Sequence, residues 1–159
     1  MTVDETPAAV QSNHTPSTTG HPVVVGFDGS QASRRALAYG VQMARNASES
    51  LVVAYVSSMN PGFDMGFVNP ACDAGSEKSE RDLAGWLHAE VSAAVDMSSI
   101  GVELIERTGD TARQLEQIAT ARTANAIVVG APEHRRHHVA GSVPAWLARH
   151  ACCPIVVVP

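Results

Sequence analysis

At 159 residues, 45% of them hydrophobic, the chain can bury one sizeable core and reads as a single domain. A formal net charge of −5 argues against a dedicated nucleic-acid binder, which usually presents a basic face. No apolar run approaches the roughly 18 residues that cross a membrane.

Met1 to Gly20 is rich in Thr, Ser, Pro and Ala without a hydrophobic period, and predicts a disordered tail over residues 1–20. It lacks the basic-then-apolar pattern of a secretory signal. Residues 21–159 then predict the folded domain. Val23-Val24-Val25-Gly26 is a short β-branched run and the first predicted strand. Ser30 or Gln31 opens a helix with Ala36, Leu37, Gly40, Val41 and Ala44 on its apolar face. Leu51 to Val56 is the second strand. Ser57 to Gly75 holds two Pro and three Gly, the composition of a long surface loop. A second amphipathic helix is marked by Leu83, Trp86, Leu87, Val91, Ala94 and Val95. Val102 to Arg107 is the third strand, interrupted by Glu103, Glu106 and Arg107. Gly109-Asp110 starts the third helix, with Asp110 as its N-cap and Leu115, Ile118 and Ala119 turned inward. Ala126 to Val129 is strand four, a last helix follows Ser142, and Ile155 to Val158 is strand five. Cys72, Cys152 and Cys153 contain no C-x-x-C pair, the usage expected of reduced thiols in a cytoplasmic protein.

Strict alternation of strand and helix predicts an α/β fold, with one parallel sheet between two helical layers. Strands one and four are purely apolar, as central parallel strands are. Strand three carries charges and suits an edge. The resulting order is 3-2-1-4-5. It leaves the wholly apolar strand five at the other edge, where a second copy of the chain is expected to cover it as a homodimer.

In that order the chain reverses direction between strands one and four, and open α/β sheets bind ligands at the carboxyl ends of the strands flanking such a point. Strand one ends in Gly26-Phe27-Asp28-Gly29-Ser30 and strand four in Gly130-Ala131. Asp28 either accepts hydrogen bonds from a ribose or base, or makes a tight turn with Gly29 while Ser30 caps the helix. Further on, Pro132-Glu133-His134-Arg135-Arg136-His137-His138 leads to Gly141-Ser142 at a helix start. Such a start favours phosphate, although Ser142 has an alternative role as a simple cap, and Arg135 and Arg136 either clamp phosphate or solvate the loop. The histidines lack a completing carboxylate or Cys at zinc-ligand spacing, so no metal site is expected. The sequence has neither G-x-x-x-x-G-K-[ST] nor G-x-G-x-x-G. A single well-placed acid is thin support for acid–base catalysis, so no enzymatic activity is expected.

Taken together, Val24-Val25-Gly26-Phe27-Asp28-Gly29-Ser30, Gly109-Asp110, Val128-Val129-Gly130, Gly141-Ser142-Val143 and Cys153-Pro154-Ile155-Val156-Val157-Val158 resemble the universal stress protein family. The resemblance spans His21 to Pro159. It implies a Rossmann-like three-layer domain, usually dimeric, that acts in stress response or dormancy. Some members bind ATP or another adenine nucleotide, and others do not. The binders' motif after strand four is G-x2-G-x9-G-[ST]. On it, Gly130 matches the first Gly, Gly141 the third and Ser142 the hydroxyl. Asp28 matches the acid that contacts the nucleoside, and Val56 a position lining the adenine pocket. The resemblance therefore implies ATP, with magnesium, held by Asp28 and Val56 at the nucleoside and by Gly130, Ala131, Gly141, Ser142 and Val143 at the phosphates. Three features depart from the motif. Glu133 stands at the second Gly, the Gly130–Gly141 spacing is two residues short, and Pro144 replaces a Ser or Thr. A carboxylate about 6 Å from a phosphate at effective ε near 20 costs on the order of 3 kcal/mol. The alternative is a dimeric interaction protein with a degenerate pocket.

Overall fold

The computed structural model describes residues 20–57, 77–96, 99–132 and 143–159. The expectations for residues 1–19, for most of the Ser57–Gly75 loop, for Cys72 and for the Glu133–Ser142 stretch lie outside the described residues. That stretch includes Arg135, Arg136, the loop histidines and Gly141. Among the described residues, strands and helices alternate strictly: β1 (Val23–Gly26), α1 (Gln31–Ala47), β2 (Leu51–Ser57), α2 (Glu77–Ala94), β3 (Val102–Thr108), α3 (Thr111–Ala121), β4 (Ala126–Gly130), α4 (Val143–His150) and β5 (Ile155–Val158). The five strands form one sheet in the order β3-β2-β1-β4-β5, and every pair is parallel. The predicted order holds.

The layering follows from the handedness of parallel crossovers. From β1 the chain steps outward through β2 to β3, which places α1 and α2 on one face. It then returns over the other face, carrying α3 and α4. The strand period of two sorts the side chains accordingly. Val23, Val25, Leu51, Val53 and Tyr55 pack with Leu37, Val41, Leu87 and Val91 on one side. Val24, Val52, Ala54, Ile127 and Val129 pack with Leu115, Ile118 and Leu147 on the other. Val23 to Val25 and Ala126 to Val128 are fully buried, each large side chain contributing about 1.5–3 kcal/mol of apolar burial as an upper bound. The centre of the sheet therefore carries the stability, and the edges carry less.

Local chemistry fixes the helix ends. The Ser30 hydroxyl accepts from the Ser33 amide at 3.1 Å, and the Asp110 carboxylate accepts from Arg113 at 2.9 Å. Both are N-caps of the expected kind. Helix α1 closes with Ser48 at φ 56, where the amides of Ser48 and Glu49 return to the carbonyls of Arg45 and Ala44. Gly40 lies on the buried face of α1, where a Cβ would collide with Val25. Its helix-propensity cost of about 1 kcal/mol is offset by the close approach of helix to strand.

Strands β2, β3 and β4 each run one residue beyond the expected end. The ladder continues past their apolar runs: the Gly109 amide donates to Ser57 and that of Ala131 to Val158. Of the residues expected inward, Ala94 is exposed, while Val95, just past the last residue of α2, is buried as expected. The β3 edge is charged as predicted, with Glu106 and Arg107 exposed and Glu103 held in a two-point ion pair by Arg122. That pairing raises the Arg122 pKa above its ordinary value despite partial burial. At the opposite edge Val156 and Val158 pack toward the α1 face and Ile155 toward the α4 face. Val157 remains 45% exposed. No helix of the described residues is long and apolar enough to cross a membrane.

Candidate functional site

β1 and β4 lie side by side, with Val25 opposite Val128, and their outgoing connections leave to opposite faces. The divergence opens a crevice of about 330 Å³ at the carboxyl edge of the sheet, where the topological argument places a ligand. Asp28, Val56, Gly130, Ala131 and Val143 all line it. Five positions drawn from four separate parts of the sequence thus share one cavity.

The β1 side is a tight turn. Phe27 is buried, and its amide extends the β1–β2 pairing to the Ala54 carbonyl at 2.9 Å. Asp28 is exposed at the mouth, and its Oδ1 accepts from the Ser30 amide at 2.9 Å. Gly29 takes φ 81, a left-handed conformation open to glycine at no steric cost. The turn role of Asp28 is therefore realised, and one further carboxylate oxygen retains acceptor capacity. The Ser33 hydroxyl donates back to the Ser30 carbonyl at 3.0 Å, which satisfies a buried polar side chain.

The β4 side differs from the phosphate-loop reading in two respects. A Cβ on Gly130 would stand 2.7 Å from the Ala32 carbonyl carbon and 2.8 Å from the Ser33 amide nitrogen. The absent side chain at Gly130 thus lets the start of α1 close onto β4. The Ala131 amide donates to the Val158 carbonyl at 2.7 Å, so it is engaged in the sheet. Val143 and Pro144 open α4 at the far wall, and Pro144 has no N–H to offer.

Ala54 and Val56 come from β2, Thr111 and Leu115 from α3, and Val129 from β4, making a largely apolar wall with one hydroxyl. Gly26 lets α3 approach, since a Cβ there would sit 2.9 Å from Leu115 Cδ1. Three helices begin at the crevice, with Ser30, Thr111 and Val143 at their starts lining it. Each contributes roughly half a positive charge at its N-terminus. Asp28 is the sole charged side chain among the described lining residues. The cavity can therefore hold a flat apolar ring, accept a hydrogen bond at Asp28, and favour negative charge toward the helix starts.

Sequence reasoning did not assign Ser33, Thr111, Leu115 or Val129 to the site. Thr111 was accessible, since it follows Asp110 at the same edge of the sheet, and Ser33 lies at capping distance from Ser30. Leu115 and Val129 look like ordinary core residues in sequence. Among the described residues, Arg122 and Cys153 have shifted pKa values, and neither lines the crevice. The Cys153 thiol is pushed up mainly by burial, then by Cys152 beside it. Among the described residues no group of three or more His, Cys, Asp or Glu is placed to hold a metal ion.

Residues 20–159 match the model of the universal stress protein family. No curated protein matches the sequence. Among solved structures, the chain resembles a protein of the universal stress protein family from Burkholderia pseudomallei at 27% identity and TM-score 0.56, covering 91% of this chain and 99% of that one. A universal stress protein in complex with cAMP is 22% identical with TM-score 0.63, over 87% of this chain and 97% of that one. An Arabidopsis thaliana family protein with AMP bound is 18% identical with TM-score 0.57, over 87% and 91% respectively. At those identities the last two similarities establish a shared fold.

Proposed function

Since the chain belongs to the universal stress protein family, we propose that it is a non-enzymatic, cytoplasmic regulator of a stress response whose switch-point crevice binds an adenine nucleotide. The observation that carries the reading is the convergence of Asp28, Val56, Gly130, Ala131 and Val143 on one cavity at which three helices begin. Val56, Ala54 and Leu115 suit a base, Asp28 suits a ribose hydroxyl or an exocyclic amine, and the helix starts suit phosphate. Solved relatives of the same fold carry AMP and cAMP, which supports the ligand class. ATP with magnesium is the fuller form of the proposal, and it relies on Gly141 and Ser142 for phosphate contacts. Among the described residues the Ala131 amide is engaged with Val158 and Pro144 has none to offer, so phosphate would be met there by the helix starts.

Glu133 at the second Gly of the binders' motif and the shortened Gly130–Gly141 spacing favour a second reading, a dimeric interaction protein whose crevice holds no nucleotide. Titration with AMP, ADP and ATP, with and without magnesium, separates the two. Ligand at a hundred times its dissociation constant adds about 2.7 kcal/mol of stability, visible as a raised Tm. Asp28→Asn, which keeps an acceptor for Ser30, is expected to retain the fold while weakening binding. An unchanged Tm at millimolar concentrations of all three nucleotides would leave only the second reading.

A further inference from the structure

Behind the Asp28 turn, on the face away from the crevice, stands a side chain that the nucleotide reading does not use. Trp86 of α2 is half-buried, and it meets the turn at its left-handed residue, Gly29. A Cβ on Gly29 would lie 2.9 Å from Trp86 Cη2 and 3.0 Å from Cζ2. The indole also packs on Phe27, with ring centroids 5.9 Å apart, and edge-on to Tyr55 at 6.1 Å. The residues on either side of the turn are thus held against one aromatic surface. One helical turn later, on the same face of α2, Glu90 accepts from Arg34 Nε and Nη2 at 3.0 and 2.9 Å. Arg34 in turn donates its amide to the Ser30 carbonyl at 3.0 Å. Helix α2 therefore grips both ends of the segment that presents Asp28: Gly29 through Trp86, and the first turn of α1 through Glu90.

We propose that Trp86 is the positioning residue of the Asp28 turn, and that α2 thereby senses whether the crevice is occupied; the second half rests on the nucleotide reading above. Gly29 has more conformational freedom than any other residue type. Without a wall behind it, the turn would sample orientations in which Asp28 points away from the ligand. Packing by Trp86 removes those states before binding, so the ordering cost is already met when ligand arrives. Coupling is reciprocal: if the Trp86 contact favours binding, binding must stabilise the Trp86 contact by the same factor.

The chain has two tryptophans, so Trp146→Phe leaves Trp86 as the only indole emitter. In that background AMP is expected to change the emission saturably, with a midpoint matching the calorimetric Kd. Trp86→Ala is expected to weaken AMP by about tenfold, Trp86→Phe to restore most of the loss, and Trp86→Leu to fall between them if Trp86→Ala folds poorly. In the Asp28→Ala background the same Trp86 substitutions should change affinity by less than about twofold, a result that general loosening of the fold does not produce. Amide exchange at Ser30, whose N–H is held by Asp28, should speed up in ligand-free Trp86→Ala or Trp86→Leu but not in Trp86→Phe. Additive effects in the cycle, with AMP still binding the parent chain, would overturn the inference and leave the nucleotide reading intact. Absence of binding by the parent chain would remove that reading and the sensing role with it. Ser30 exchange then decides the positioning role alone, and an unaltered rate refutes it.

Discussion

Glycines at this sheet edge look alike in sequence but differ in what their missing side chains allow. A Cβ on Gly130 meets backbone, the Ala32 carbonyl carbon and the Ser33 amide, which can move only if α1 moves. A Cβ on Gly26 meets first the end of Leu115, which can change rotamer. Gly130→Ala is therefore expected to cost about 1–3 kcal/mol in urea denaturation and Gly26→Ala less. The reverse order would show that Gly130 is not a packing glycine. A second contrast separates the adjacent cysteines. Cys152 is exposed, with its sulfur 3.3 Å from the Thr120 hydroxyl, whereas Cys153 is half-buried with a raised pKa. A raised thiol pKa means less thiolate at any given pH. Iodoacetamide should accordingly label Cys152 before Cys153 near pH 8, with the Cys153 rate still climbing at higher pH, as peptide mass spectrometry would read. Equal rates would contradict the assigned burial.

At the scale of elements, capping and surface charge make unequal contributions to α1. The Ser30 hydroxyl satisfies an otherwise orphaned amide at a helix start that Gly130 and Ser33 crowd, and losing such a cap costs about 1 kcal/mol. The Arg34–Glu90 pair is 49% and 29% exposed at its two side chains, a setting in which ion pairs contribute about 0–1 kcal/mol. Ser30→Ala is thus expected to lower the unfolding free energy more than Glu90→Gln, and only the Glu90 difference should shrink in high salt. A salt-sensitive Ser30 effect would point to a charge interaction in place of the cap. The boundaries of these helices were readable because caps have a compositional signature, and Ser30 and Asp110 stand where that signature predicts. The extra residues of β2, β3 and β4 were not readable, because a ladder hydrogen bond to Ser57 or Val158 depends on a neighbouring strand.

For the whole molecule, the two edges of the sheet differ in kind. β3 is charged and closed by the Arg122–Glu103 pair. In β5, the carbonyls of Pro154 and Val158 are turned to β4, where they accept from Ile127 and Ala131. Strand alternation then directs the main-chain groups of Ile155 and Val157 to the open edge. With Val157 exposed beside them, the edge is a template for another strand. A homodimer through β5 follows as the expected assembly. Light scattering at micromolar concentration should return twice the chain mass, and Val157→Lys should return the monomer with an unchanged circular dichroism spectrum. A monomeric parent chain would end that expectation.

Apolar runs, capping residues and charge placement settled the alternation of elements, the central strands and the order of the sheet, since each follows from local periodicity and the handedness of crossovers. The meeting of Asp28 with Gly130 at one crevice also followed, once that order was known, whereas Val56 and Val143 were reached only through the family resemblance. Tertiary structure alone decided what those residues have left to offer. Ala131 donates to Val158, Gly130 accommodates the start of α1, and Trp86 stands behind Gly29. Each is a contact between segments remote along the chain, whose distances no local pattern encodes.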